Sequence, residues 1–375
     1  MKRRFAAFLM LLLVLAPKGL ASEPFTVDAK AAVVIDGASG RILFAQNADE
    51  MLPMASTTKI MTAILALENC SLDEMVTAGK NASGVEGTSI YLSEGETLSM
   101  EHMLYGLMLR SGNDAAVAIA EHVAGSVSAF ADMMNAKAEE LNADAHFVNP
   151  HGLPAEGHAA SALGLARIMR YAMTIPEFRT ITGTSRKVIP WVGNEYSRVL
   201  ENKNRLLTTY EGTTGGKTGF TNAAGRCLVF SAERDGMELI GVVLNCYTWF
   251  DTAEMLLDYG FDNFRTETAL KTGQSAGVAI LEGGAQKAVD VVAGGDLTSA
   301  IARGKPFTVR YTYESLTAPI QKGQIVGTAW MESGGEVLAS CPLLAAEDVH
   351  EWDFGEALRS VLRNWLLHFD AGSDV

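Results

Sequence analysis

GGKTGFTNAAGRCLVFSAERDGMELIGVVLNC, Gly215 to Cys246, decides how this chain folds. Its β-rich apolar runs are broken by turn residues, so it reads as strand, turn, strand, turn, strand. Far upstream, AAVVIDGASGRILFAQN (Ala31 to Asn47) places two more β-rich runs around Asp36-Gly37-Ala38-Ser39-Gly40 and reads as a hairpin. Helical patterns fill the interval. Ile60, Met61, Ala63, Ile64, Leu65 and Leu67 recur at helical spacing. A second block spans Glu101 to Ala124 and is interrupted at Arg110-Ser111-Gly112-Asn113-Asp114; a third covers Val127 to Leu141; another begins near Ser161. TAEMLLDYGFDNF (Thr252 to Phe264) reads as a helix after the three strands. Helices gathered between N- and C-terminal strands predict an α/β (α+β) domain with an antiparallel sheet and a helical cluster.

From about Lys271 short strand-like runs alternate with glycine turns, as in GVAILEGG, VDVVAGGD and QIVGTAWME, and no helical pattern appears. A small all-β domain over 268–345 is expected. The tail, 346–375, carries EWDFGEALRSVLRNWLLHFD. There Phe354, Leu358, Val361, Leu362, Trp365 and Phe369 share one helical face, with Arg359 and Arg363 opposite. That pattern suits either a helix packed on the β-domain or a partner, or an interfacial membrane anchor; the terminal position and the aromatics favour the anchor. The N-terminus has Lys2, Arg3 and Arg4, an apolar stretch from Phe5 to Ala16, and Gly19-Leu20-Ala21. It reads as a signal peptide, 1–21, cut after Ala21, with an exported mature chain whose first domain covers 22–267.

The 375 residues, 48% hydrophobic and 20% charged, suffice for one large or two to three ordinary cores. Losing Lys2, Arg3, Arg4 and Lys18 takes the formal charge from −14 to −18. So acidic a chain is a poor partner for nucleic acid, whose phosphates need clustered cations. Four cysteines, Cys70, Cys227, Cys246 and Cys341, allow three full pairings. Cys227 and Cys246 lie in apolar strand-like runs, where a free thiol serves as a small hydrophobe, and no obligatory disulfide is expected. No CxxC or Cys/His cluster suggests zinc, and no metal or cofactor is expected.

Chemistry is carried by three short motifs. In MASTTKIMTA (Met54 to Ala63) Ser56 stands three residues before Lys59, so on a helix the two share a face. A serine hydroxyl needs a base to become a nucleophile, and a lysine serves if burial and neighbouring charge lower its pKa. Ser111-Gly112-Asn113 falls in the break between helical stretches, where the serine could relay a proton and the asparagine hold a substrate amide. Lys217-Thr218-Gly219 opens a strand, offering a charge, a hydroxyl and a bare backbone. Each motif alone is weak. A second KTG, Lys271-Thr272-Gly273, lacks the glycine-rich approach and is assigned to a turn. GGKT is not a phosphate loop, because Glu211 stands where that motif needs glycine.

The ordered set S-x-x-K, S-x-N, K-T-G is that of serine β-lactamases and penicillin-binding proteins. With GTSIYLSEGE (Gly87 to Glu96), LMLRSGNDAA, FVNPHGL (Phe147 to Leu153), LLDYGF, the β-domain and the tail, the chain resembles the low-molecular-weight penicillin-binding proteins. Within them it is most similar to serine D-alanyl-D-alanine carboxypeptidases of the Gram-positive and sporulation-associated kind. The resemblance implies a β-lactamase/transpeptidase-like first domain and removal of the terminal D-alanine from peptidoglycan stem peptides. It makes Ser56 the nucleophile and Lys59 its base. The N–H groups of Ser56 and Phe220 become the oxyanion site, Ser111 and Lys217 the proton path to the leaving D-alanine, Asn113 the peptide guide and Thr218 the carboxylate receiver. It also implies acylation of Ser56 by β-lactams, and no cofactor.

Two departures stand out. An arginine that helps bind the substrate carboxylate in the family is Trp249 here, and the aspartate of an S-A-x-D stretch is Gly164, which suggests a missing support. A class A β-lactamase would need a glutamate at position 138, which is alanine. A D,D-endopeptidase uses the same residues, and a non-catalytic wall-binding or β-lactam-sensing module is the reading from another class.

Overall fold

A computed structural model describes residues 25–351 together with Phe354, Gly355, Leu358 and Leu362. The expected signal peptide and most of the tail helix lie outside the described residues. The first domain runs β1 (Ala31–Asp36), β2 (Ile42–Gln46), a 3-10 turn (Ala55–Thr58), α1 (Lys59–Asn69), β3 (Met75–Thr77), β4 (Thr97–Ser99), α2 (Met100–Leu109), α3 (Asn113–Ala124) and α4 (Val127–Glu140). It continues with β5 (Ala145–His146), β6 (Ala159–Ala160), α5 (Ala162–Ala172), α6 (Pro176–Gly183), β7 (Arg186–Ile189), β8 (Arg198–Glu201) and the one-turn α7 (Leu206–Thr209). The stretch quoted first becomes β9 (Thr213–Thr221), β10 (Gly225–Arg234) and β11 (Met237–Leu244), followed by α8 (Trp249–Asn263).

These strands make one antiparallel sheet in the order β2-β1-β11-β10-β9. Period-two alternation sorts its side chains between two cores. Ala31, Val33, Ile35, Cys227, Val229, Ile240, Val242 and Leu244 face the helical cluster. Ala32, Val34, Leu228, Phe230, Leu239 and Val243 face α8. The first five residues of β1 are fully buried, which explains an uninterrupted apolar run where a half-exposed strand would alternate. Each Val or Ile buried there contributes about 1.5–3 kcal/mol.

The helix predicted from Thr252 begins three residues earlier, at Trp249, and ends at Asn263. With no loop between, β12 (Phe264–Leu270) starts ahead of the expected Thr268. Phe264 stays with the first domain's core, its ring 6.1 Å from Tyr259, while its backbone already pairs with the strand that ends at Ala302. The second domain follows as β13 (Ser275–Glu282), β14 (Ala288–Ala293), β15 (Leu297–Ala302), β16 (Thr308–Tyr313), β17 (Leu316–Thr317), β18 (Ile325–Ser333) and β19 (Glu336–Ala345). A six-stranded sheet and the β12–β15 pair enclose a core of Leu270, Val291, Leu297, Val326, Met331 and Leu343. The two domains are stitched by Ala300 N–H to Asp36 Oδ2 (3.1 Å) and Arg41 Nη1 to the Ala300 carbonyl (2.8 Å). Lys271-Thr272-Gly273 is the turn between β12 and β13, with Gly273 in the left-handed region at φ 78°. All four cysteines are free. Among the described residues no helix is long and apolar enough to cross a membrane.

Candidate active site

α1 is a central helix: every residue from Lys59 to Ala66 is buried. The 3-10 turn before it is shaped by its own side chains. Thr57 Oγ1 donates to Met54 O at 2.7 Å and Thr58 Oγ1 to Ala55 O at 2.8 Å. His158 supports the second bond. Its Nδ1 accepts from Val148 N–H at 3.0 Å, so its Nε2 carries the proton and donates to Thr58 Oγ1 at 2.8 Å. These bonds hold Ala55 at φ 47°, a left-handed conformation that costs an alanine roughly 1 kcal/mol. The result lifts Ser56 out of an otherwise buried segment. Ser56 therefore lies in a 3-10 turn, and the α-helix proper starts at Lys59.

Lys59 Nζ donates to Ser56 Oγ at 3.0 Å, to Asn113 Oδ1 at 2.7 Å and to the His151 carbonyl at 2.6 Å. Gly152, at φ 89°, lies so close to the Ala55–Ser56 peptide that a Cβ there would sit 1.9 Å from Ala55 O. The FVNPHGL segment thus clamps both the serine's backbone and the lysine's ammonium.

Ser111 and Gly112 lie in the break between α2 and α3, and Asn113 opens α3. The segment is pinned by Asn113 N–H to Thr88 O (2.7 Å) and Thr88 Oγ1 to Ser111 O (2.5 Å), and Ser111 sits at φ 63°. The next residue, the buried Asp114, accepts from Ile90 N, Leu92 N and Ser89 Oγ, so its charge is fully hydrogen-bonded. Asn113 itself is largely committed: its Oδ1 holds Lys59 and one Nδ2 proton goes to Glu86 O at 2.6 Å. One amide proton remains for a ligand.

Lys217-Thr218-Gly219 lies in mid-strand, not at the opening of one, because the glycines before it already pair with β10. β9 is the edge strand beside the 3-10 turn. A Cβ on Gly219 would stand 2.9 Å from Ser56 N, so only glycine lets this edge close on the serine. Lys217 Nζ donates to the Thr218 carbonyl at 2.8 Å. Ser56, Ser111, Asn113, Thr218 and Phe220 all line one cleft of about 340 Å³; Lys59 and Lys217 are buried behind this lining, Lys59 bonded to Ser56 and Asn113 and Lys217 to the Thr218 carbonyl.

Lys203 also lines this cleft, and no spacing argument pointed to it. Its loop is tied down by Asn202 Nδ2 to Thr182 O (3.1 Å) and Asn204 Nδ2 to Gly215 O (3.2 Å); the N-x-N triplet is the only sign in the sequence. No carboxylate pairs with its ammonium among the described residues. Arg110, Lys203, Lys217 and Lys59 influence one another electrostatically. Burial, then Lys217 and Lys203, holds Lys59 well below the usual lysine range, against the pull of Asp114. Burial and Lys203 bring Lys217 down to about 7. Lys203 is lowered by burial and by Arg110.

The two departures have physical explanations. Trp249 is a wall of the cleft, its ring 5.9 Å from the Arg226 guanidinium, which itself lies 4.5 Å over Tyr247. A Cβ at Gly164 would meet Asp144 O at 2.5 Å. Backbone occupies the space an aspartate side chain would need, and the Asp144 carbonyl takes Ser161 N–H at 2.8 Å while Ser161 Oγ caps α5 through Gly164 N–H. The expected missing support is replaced by this main-chain contact.

Comparison with known proteins agrees with this geometry. A family model described as D-alanyl-D-alanine carboxypeptidase, peptidase S11, matches residues 18–248, and one described as the C-terminal domain of penicillin-binding protein 5 matches 264–351. The chain is 32% identical to the D-alanyl-D-alanine carboxypeptidase DacF of Bacillus subtilis over 97% of this chain and 99% of that protein. It is 34% identical to DacC of Escherichia coli over 94% of each. The crystal structure of penicillin-binding protein 5 from Haemophilus influenzae matches with a TM-score of 0.79 at 31% identity, covering 88% of this chain and 99% of that one. The family model covers more than half of the chain and the relatives nearly all of it, so the chain belongs to the peptidase S11 family of D-alanyl-D-alanine carboxypeptidases, which are serine hydrolases.

Proposed function

We propose that this carboxypeptidase removes the terminal D-alanine from peptidoglycan stem peptides through an ester formed on Ser56. The observation that carries this is the 3.0 Å hydrogen bond from Lys59 Nζ to Ser56 Oγ, made by a lysine whose charged form is destabilised by burial and two neighbouring ammonium groups. Ser56 Oγ attacks the carbonyl carbon between the two D-alanines as its proton passes to Lys59. The N–H groups of Ser56 and Phe220 hold the oxyanion. As the C–N bond breaks, a proton reaches the departing amine by way of Ser111 and Lys217. Asn113, with one free amide proton, guides the peptide, and Thr218 meets the terminal carboxylate. Water then adds to the ester and Ser56 recovers its proton. β-lactams acylate the same oxygen. The test is D-alanine release from a purified pentapeptide, together with fluorescent penicillin labelling. Folded protein that labels with penicillin but releases no D-alanine from any D-Ala-D-Ala peptide would overturn the reading.

Lys203 supplies the positive charge for the substrate carboxylate that Trp249 does not. It is exposed, lines the cleft and, among the described residues, forms no ion pair with an acid. Lys203→Ala should lower kcat/KM roughly 10- to 100-fold, mostly through KM, the worth of one charged hydrogen bond. Its pH profile gives an independent sign. Activity needs Lys59 unprotonated and Lys217 protonated, so kcat/KM should be bell-shaped, its alkaline limb near the value of about 7 for Lys217. Lys203 repels protons from both, so its removal raises both values and moves both limbs to higher pH. A KM effect with unmoved limbs would refute the electrostatic role.

The protein acts outside the cytoplasm, on the outer face of the cytoplasmic membrane, held there by 346–375. The exposed Phe354, Leu358 and Leu362, four residues apart, support this as one apolar face of a helix. Truncation at Ala346 should release the protein from the membrane fraction; unchanged sedimentation would refute the anchor.

A further inference from the structure

α1 and α3 present their N-terminal ends to the cleft, through Lys59 and Asn113. Their opposite ends converge elsewhere, about 16 Å along α1 at 1.5 Å per residue. There Cys70 caps α1, His122 occupies the last turn of α3, and Glu74 directly precedes β3. The Cys70 sulfur, one Glu74 carboxylate oxygen and one His122 ring nitrogen all lie within 4.8 Å of one another. His122 Nε2 donates to Glu74 Oε1 at 2.8 Å.

Three distinct donor types, two from the loop between α1 and β3 and one from the end of α3, are more than a surface ion pair requires. An exposed His–Glu pair alone is worth at most about 1 kcal/mol and gives no reason for a thiol beside the same carboxylate. Sulfur, imidazole and carboxylate are the ligand set of a borderline divalent cation. The last carbonyls of two helices add negative potential at the same place. Glu74 and His122 are partly exposed, so an ion has a way in.

We propose that Cys70, Glu74 and His122 form a three-ligand site for a divalent transition cation, zinc above all, with solvent at the fourth position. On binding, the thiol proton leaves to solvent and the His122–Glu74 hydrogen bond opens, freeing Nε2 and a carboxylate oxygen for the metal. A carboxylate only accepts, so Nε2 carries the ring proton in that hydrogen bond; on binding this proton passes to solvent, solvent re-protonates the ring at Nδ1, and the neutral imidazole meets the metal through Nε2. The ion would join the ends of the two helices whose other ends carry Lys59 and Asn113, and so brace the cleft without touching substrate. The sequence shows no metal motif because Cys70 and Glu74 are separated from His122 by the whole of α2.

The experiment uses the mature, tag-free chain after chelator treatment. Zinc is titrated against a chromophoric competitor, cobalt is followed by its thiolate charge-transfer band, and thermal unfolding is recorded with and without zinc. One equivalent should bind, raise the melting temperature and produce the cobalt–thiolate band. Cys70→Ser and His122→Ala should each weaken zinc roughly 100-fold and Cys70→Ser should erase the band. Metal-free D-alanine release and melting temperature should match the parent in both variants, showing that the fold is intact. No stoichiometric binding, or binding that survives both substitutions, would overturn the site.

Discussion

Replacing Ser56 by alanine, Lys59 by alanine, or both together should give one common loss of D-alanine release, roughly 10,000-fold to a million-fold. In the proposed mechanism the nucleophile and its base act as a unit, so removing either leaves only positioning and oxyanion binding, and removing the second costs little more. The geometry makes this coupling strict. Lys59 is buried, and among the described residues no other side chain hydrogen-bonds to Ser56 Oγ, while Lys217 is directed to the Thr218 carbonyl. Penicillin labelling should vanish in Ser56→Ala and become undetectably slow in Lys59→Ala. The measurements are single-turnover acylation and steady-state release, with circular dichroism to confirm folding. Additive losses in the double variant would mean that Lys59 serves some purpose other than activating Ser56.

The second large effect should come from a residue with no functional atoms. Gly152→Ala forces a Cβ to within 1.9 Å of Ala55 O and 2.9 Å of Ser56 N, at φ 89°. The left-handed backbone costs roughly 1 kcal/mol and the collision about 1–3 kcal/mol or more. The clash can be relieved only by moving the 3-10 turn or the His151 carbonyl that holds Lys59. A displacement near 1 Å at the reacting groups costs on the order of 100-fold. Urea unfolding should show a loss of roughly 2–4 kcal/mol, and kcat/KM of the folded fraction should fall about 100-fold. Gly125→Ala is the matched control: its φ is 77° but nothing lies within 4 Å, so only the backbone cost should appear and activity should persist. Equal effects in both variants would show that strain alone, not contact with the turn, makes Gly152 necessary.

The pH profile of Lys203→Ala joins these two, since Lys203, like Gly152, acts on groups it does not resemble in sequence. Burial together with Lys217 and Lys203 lowers the pKa of Lys59 beside the serine, and Lys203 lowers that of Lys217. Asp114, the one buried acid that pulls Lys59 the other way, is occupied by the backbone of residues 90 and 92. The segment from Gly87 to Glu96 is itself anchored by the buried ion pair between Glu96 and Arg198 at 2.6 Å. Motif, loop and anchor are therefore one construction.

What the amino-acid order determined unaided was the long local elements; it announced neither α6 and α7 nor the short strand pairs β3–β4, β5–β6 and β7–β8. The hairpin of β1 and β2, the three-stranded run from Thr213, and α1 to α5 follow from side-chain periodicity and turn residues, which act within a few positions. The serine–lysine spacing also announced itself, because three residues of 3-10 or α backbone leave little freedom in where Nζ can go. Tertiary structure alone decided the rest. It placed Lys203 in the cleft, set Gly152 against the Ala55–Ser56 peptide, filled the space beside Gly164 with backbone, and gathered Cys70, Glu74 and His122. It also moved two boundaries, since Trp249 and Phe264 are claimed by contacts with the cleft and with Tyr259. Such contacts join residues tens to hundreds of positions apart, and their distances are set by how layers pack, a quantity no local pattern carries.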